Sequence, residues 1–176
     1  MSTAPRNGEW IQLRWLALSA ALVGTDQWTK QLIERALQMY EAYYILPVFN
    51  IVRAHNRGAA FSMFDQASGW QRWAFSVLAA VVSAALVLWL ARLERRANLM
   101  AAALALILAG AVGNVIDRLR LGYVIDFVQV HWGEHYFPAF NVADSAITVG
   151  AGLLLLDALL ARGKPAGGGS AGTPRH

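Results

Sequence analysis

At 176 residues, 57% hydrophobic and 15% charged, with a mean hydropathy of +0.39, the chain is too apolar for an ordinary soluble domain and reads as a membrane protein. The absence of cysteine excludes disulfides and thiolate chemistry. The pI of about 9.9 comes from basic residues flanking apolar segments, not from a basic face interleaved with aromatics, so nothing points to nucleic acid.

In chain order, residues 1–10 form a polar lead. The first apolar segment, about 13–33, carries Asp26 and Lys30. Arg6 and Arg14 ahead of "WLALSAALVG" imitate a cleavable signal peptide, but its removal would leave an odd number of spans and split the basic loops across the membrane. Asp26 and Lys30 stand one helical turn apart and are expected to pair as a structural anchor near the outer interface. Next, "YYILPVFNIVRAHNRGAAFSMF" is rich in β-branched and aromatic residues and suggests a small extended platform between the first two helices.

Trp73 to Ala91 and Ala97 to Ile116 contain no charge, and each is long enough to cross a bilayer core of roughly 30 Å. In the third segment Ala101, Ala105, Ala109 and Gly113 recur every fourth residue, a close-packing seam, beside a stripe of Gly110, Asn114 and Arg118. The fourth segment, 141–160, carries Asp144 and Asp157. With Ala and Leu abundant and no alternation, a barrel is excluded. The expectation is an all-α membrane protein with four transmembrane helices, spans at about 13–33, 73–91, 97–116 and 141–160, and a small extracytoplasmic β-platform. Residues 1–162 read as one integral membrane domain without internal repeats, and 163–176 as a disordered Gly-rich tail.

Arg6 and Arg14, then Arg92, Arg95 and Arg96, then Arg162, Lys164 and Arg175 fall on one side of such a bundle, which assigns that side to the cytoplasm. Residues 34–72 and 117–140 then face outward. Asp126 and Asp144 stand near that outer edge. Asn141 and Asp144 fit an N-cap and third-residue pattern, so capping alone accounts for Asp144. Asp126 has no capping role, and an ion pair with Arg118 or Arg120 stands against a functional role. Asp117, beside those arginines, reads as structural.

"HWGEH" matches an inverted zincin pattern through His131, Glu134 and His135. That motif needs a helix, Gly133 interrupts it, and the remaining histidines are His55 and His176, so no metal site is expected. Ser62, Ser68 and Ser145 lack a neighbouring His or Lys in any nucleophile arrangement, and Gly150 and Gly152 lie in an apolar helix, not a phosphate loop. What remains is the pair of acids. Two carboxyls close together in a weakly polar setting hold one proton between them, so one serves as base toward water while the other donates to a carbonyl oxygen.

"HNRGAAFS", "GNVIDRL", "GYVIDFV" and "FPAFNVADSAI", in this order with four spans, resemble the bacterial lipoprotein signal peptidase family, also called signal peptidase II. The resemblance runs from about Trp15 to Leu160. It implies a cofactor-free aspartic endopeptidase of the inner membrane, acting as a monomer among membrane lipids. Its site would face the periplasm and cut diacylglyceryl-modified prolipoproteins before the lipidated cysteine. It makes Asp126 and Asp144 the catalytic dyad and places Asn56, Asn114, Arg118 and Asn141 around them, to hold substrate backbone and orient the acids. Asp26 and Lys30 match the family's first-helix "DQxxK" pattern. Trp70, Trp73, Trp132 and Phe137 read as an interfacial belt. The rival classes are a small transporter or proton relay, which calls for acids near the bilayer midplane, and a non-catalytic anchor, which leaves the gathered polar residues unexplained.

Overall fold

The computed structural model describes residues 11–58, 70–94 and 96–162; the polar lead, Ser62, Ser68, Arg95 and the Gly-rich tail lie outside them. After a 3-10 turn at Ile11–Trp15, α1 runs Leu16–Ala36, Leu- and Ala-rich and free of proline. It ends where Leu37 turns extended, and Arg53 Nη1 donates to the freed carbonyls of Glu34 and Leu37 at 3.2 and 3.0 Å. Helices α2 (Trp70–Arg92), α3 (Asn98–Leu121) and α4 (Val142–Arg162) complete the bundle. Gly122 stops α3 by adopting a left-handed φ of 85°, its N–H returning to the Arg118 carbonyl at 3.1 Å.

Among the described residues three helices are long and apolar enough to cross a membrane: α2, α3 and α4. At 21 residues α1 is as long as α4. It is less apolar because it carries Asp26, Lys30, Glu34 and Arg35.

Between helices the chain forms one antiparallel sheet in the order β1-β2-β3-β4. Its strands are β1 (Ala42–Leu46), β2 (Phe49–Asn56), β3 (Val124–Trp132) and β4 (His135–Tyr136). The platform expected between the first two helices is therefore only half the sheet; its other half comes from the connection between α3 and α4. The β-branched run of "YVIDFVQVHW" cannot extend α3 past Gly122, and it satisfies its backbone by pairing with β2 from Phe49↔Val130 to Asn56↔Val124. A bulge between Ile51 and Ala54 shifts that register.

Helix α3 is the centre of the bundle. Leu104 and Leu108 meet Leu86 and Leu90 of α2, with Trp15 and Leu16 packed against the cluster. On the opposite side the small residues allow α4 and α1 to approach. A Cβ on Gly110 would collide with the Ala143 carbonyl, and one on Gly113 would stand 2.7 Å from Asp26 Oδ2. Ser19 of α1 donates to the Ala105 carbonyl at 2.8 Å, so the Ala105–Gly113 side of the expected seam faces α1. Val77, Leu78 and Val81 of α2 and Leu155, Leu159 and Leu160 of α4 remain exposed, as surfaces turned to lipid are.

Candidate active site

The sheet and the adjoining ends of α1, α3 and α4 converge on two carboxylates. Asp126 sits in β3 opposite Ala54 of β2 and is 3% exposed. Asp144 is the third residue of α4. Asn141 forms the expected reciprocal cap: its Oδ1 accepts the Asp144 N–H at 2.9 Å, and Asp144 Oδ2 accepts the Asn141 N–H at 3.3 Å. The same side chain does more than cap, because Nδ2 of Asn141 donates to Asp126 Oδ1 at 2.7 Å. Capping and juxtaposition are thus one arrangement, and the residue that starts α4 ties both acids together.

Asn114 of α3 supplies a second tie, its Nδ2 donating to Asp144 Oδ1 at 2.8 Å. Its orientation is fixed from behind, since Lys30 Nζ donates to Asn114 Oδ1 at 3.0 Å. Lys30 also contacts Asp26 at 2.8 Å and Asp117 at 2.9 Å, with all three side chains at most 3% exposed. The expected Asp26–Lys30 pair is therefore present within a larger buried cluster. Asp117 turns to that lysine, not to its neighbouring arginines, and its Oδ2 accepts the Ile125 N–H at 3.3 Å, beside Asp126 on β3. Asp26 Oδ1 accepts the Ala143 N–H at 2.9 Å at the start of α4.

Among the described residues the ion pairs are those of Lys30 with Asp26 and Asp117 and those of Glu34 with Arg53 and His55, so Asp126 makes none with Arg118 or Arg120. Arg118 is nevertheless within electrostatic reach of Asp144, Asp126 and Asp117, and it lies 5.4 Å over the Phe75 ring. Asn56, whose Oδ1 accepts the Gly58 N–H at 2.8 Å, serves Asp126 with its amide. Burial, and then the charge of Asp144, push the Asp126 carboxyl up to about 6 from 3.8, although the amides of Asn56 and Asn141 work the other way. Asp126 therefore keeps its proton to higher pH than a free carboxyl, and beside a second carboxyl it can take part in acid and base chemistry in one reaction.

Residues 18–160 match the family model described as signal peptidase (SPase) II. The lipoprotein signal peptidase of Pseudomonas putida is 53% identical over 155 residues, covering 87% of this chain and 91% of that one. That of Acinetobacter baylyi is 48% identical over 145 residues, covering 82% and 81%. The chain belongs to the signal peptidase II family.

Membership in the signal peptidase II family makes it a peptidase. A bacterial membrane enzyme solved by the in meso method at 2.3 Å resolution superposes with a TM-score of 0.79 at 28% identity, covering 91% of this chain and 96% of that one. A second, at 1.9 Å resolution, gives 0.76 at 30% identity, covering 85% and 95%. The helix bundle and its sheet are thus shared with solved membrane enzymes.

Sequence reasoning missed Gln27, whose Nε2 donates to Asp117 Oδ1 at 2.8 Å and to the Gly113 carbonyl at 3.2 Å. Its position next to Asp26 was the available signal. Also missed was Glu34, which receives Arg53 and Tyr123 from far along the chain. The "HWGEH" residues His131, Glu134 and His135 lie on the β3–β4 hairpin, turned by Gly133 at a φ of 57°, not on a helix.

Proposed function

We propose that this signal peptidase II removes signal peptides from prolipoproteins by aspartic hydrolysis, with Asp126 and Asp144 as the dyad. The relatives at 53% identity carry the name lipoprotein signal peptidase, which supports the substrate class. The observation that carries the mechanism is the double engagement of Asn141, bonded to Asp126 through its amide and to Asp144 through its cap.

In this reading Asp126, the raised carboxyl, holds the shared proton and donates it to the scissile carbonyl oxygen. Asp144, oriented by Asn114 and by the backbone of Asn141, takes a proton from the attacking water and gives it to the leaving amide nitrogen as the C–N bond breaks. Asp126 meanwhile recovers its proton from the hydroxyl that becomes the new carbonyl oxygen. Asn56 and Arg118, at the rim of the pair, hold the substrate backbone. No metal and no covalent enzyme intermediate is called for.

Helix α1 serves as the fourth span of a single membrane domain over 1–162, because its intramembrane charges are paired inward at Lys30 and cost little exposed polarity to lipid. Arg14, Arg92 and Arg96 lie at the end of the bundle away from the sheet, which supports a cytoplasmic position for that end and a periplasmic position for the acids at the inner membrane. A diacylglyceryl-modified substrate arriving within the outer leaflet meets the dyad at that depth. The protein acts as a monomer.

The decisive experiment is cleavage of a diacylglyceryl-modified prolipoprotein by purified enzyme in lipid. Asp126→Asn and Asp144→Asn are each expected to fold and to lose turnover. Full cleavage by either would remove the mechanism. Proton-dependent transport by the wild type, with no cleavage, would favour the transporter class.

A further inference from the structure

Glu34, in the last turn of α1, gathers side chains from β2 and from the residue that leads into β3, the strands that build the acid site. Tyr123 Oη donates to Glu34 Oε1 at 3.1 Å, Arg53 Nη2 does so at 3.3 Å, and His55 Nε2 stands 3.8 Å away. His55 lies flat on Tyr123, with ring centroids 3.8 Å apart and planes 16° from parallel. Arg53 is itself anchored, through its side chain to the α1 carbonyls and through its backbone to Tyr40 and Glu41. One carboxylate therefore fastens β2 and the entry to β3 onto α1.

The node lies next to the proposed chemistry along both strands. His55 immediately precedes Asn56 and is in register with Ile125, which immediately precedes Asp126. On the helix side Asp126 is held by Asn141, and Ile125 by Asp117 and Asn141. On the sheet side β2 meets the bundle at α1. Because Ala54 and Asn56 are paired with Asp126 and Val124, loss of the node would free the β2–β3 ribbon to shift as a unit on α1, moving Asn56 and Asp126 together relative to the helix residues. Burial and then Glu34 raise the Tyr123 hydroxyl, so it keeps the proton it donates. Burial and then Arg53 lower His55, which stacks as a neutral ring at neutral pH.

We propose that Glu34 and Tyr123 are positioning residues that hold the β2–β3 ribbon so that Asn56 and Asp126 register with Asn114, Asn141 and Asp144 on the helices. This rests on the assignment of Asp126 and Asp144 as the dyad. Neither residue touches the reacting atoms; both act through the height of the ribbon over α1.

The test uses the full-length enzyme with Tyr123→Phe, Glu34→Ala and Glu34→Gln, following kcat, KM, melting temperature and the pH profile of kcat/KM. Tyr123→Phe and Glu34→Ala are expected to lower kcat roughly tenfold or more while KM stays within about twofold. Glu34→Gln keeps an acceptor oxygen for Tyr123 and Arg53 and is expected to restore most of the activity. The groups facing Asp126 are Asp144, Lys30, Arg118, Asn56 and Asn141; those facing Glu34 are Arg53, His55 and Tyr123, with Arg57 nearby. A loosened Asp126 is better hydrated and farther from Asp144, so it releases its proton earlier and the alkaline limb moves to lower pH.

A fall in activity that merely tracks the folded fraction, with the limb unmoved, would reduce the node to ordinary stabilisation and overturn the proposal. So would wild-type kcat in Tyr123→Phe, a change of one hydroxyl that leaves the ring stacked on His55. If Asp126→Asn is inactive while Tyr123→Phe is unaffected, only the node falls. If Asp126→Asn retains turnover, the dyad falls first.

Discussion

Asn141 Nδ2 lies 2.7 Å from Asp126 Oδ1, so the residue that caps α4 also grips a carboxyl on the sheet. The two duties separate by substitution. Serine caps a helix about as well as asparagine, whereas alanine forfeits roughly 1 kcal/mol of cap. Neither reaches Asp126. Both lose the buried amide bonds, so both are expected to melt below the wild type and to lose most of their turnover, with Asn141→Ser melting several degrees above Asn141→Ala by virtue of its cap. If Asn141→Ser cleaves prolipoprotein at the wild-type rate, the amide contact has no part in catalysis.

Asp126 is maintained at a cost to the fold. Its folded-state pKa of about 6 stands above the 3.8 of a free carboxyl, so the folded protein binds that proton more tightly than the unfolded chain. The stability this confers is complete below about pH 4 and is lost as pH rises through 6, where the buried group must ionise. Asp126→Asn removes the penalty and keeps an oxygen for Asn141. Above about pH 7 it is expected to be more stable than the wild type by roughly 1–3 kcal/mol, with no turnover, and the advantage should vanish toward pH 4. Thermal melts of both proteins across that range measure the difference directly; an advantage independent of pH would show that ionisation is not its source.

Lys30 is the sole cation in contact with Asp26 and Asp117 among the described residues, and it also orients Asn114 toward Asp144. Lys30→Met leaves two buried carboxylates unpaired, which costs about 3–5 kcal/mol. The double variant Lys30→Met with Asp117→Asn removes one of those charges and should recover part of the stability. Activity should not return with it, because the Asn114 oxygen then keeps only the long 3.4 Å contact from Asn141 Nδ2 in place of the Lys30 bond. Equal melting temperatures for the single and double variants would disprove the charge argument.

How much of this was legible beforehand follows from how local each signal is. The Asn141–Asp144 cap and the Asp26–Lys30 pair are short spacings on a helix, and the structure contains both. Asp117 reads as structural from the sequence, but its partners were not legible: spacing pointed to its neighbours Arg118 and Arg120, while the partners arrive from α1 across the Gly113 contact. Nothing in a linear pattern says which face of α3 meets α1. The same holds for the sheet: β1 and β2 were visible as a β-branched run, but the pairing of β2 with a strand some seventy residues later depends on register, as in Asn56↔Val124. Glu34 escaped notice for that reason too, its partners Arg53 and Tyr123 lying 19 and 89 residues away. The apolarity of α2, α3 and α4 needed no such information.

The hairpin bearing "HWGEH" yields the last prediction. His131 pairs with Tyr136 and Trp132 with His135, and partners across a ladder share a face while adjacent residues alternate. The two histidines therefore lie on opposite faces of the hairpin. One ion cannot take both without breaking the His131–Tyr136 and Trp132–His135 pairing, and among the described residues no group of three or more His, Asp or Glu side chains is placed to hold a metal. Glu134 sits at the exposed turn, away from the dyad. Glu134→Gln is accordingly expected to change kcat/KM by less than about twofold, and dialysis against EDTA to leave cleavage intact. Activity lost to the chelator and regained with zinc would transfer the hydrolytic role from the aspartates to a metal-bound water.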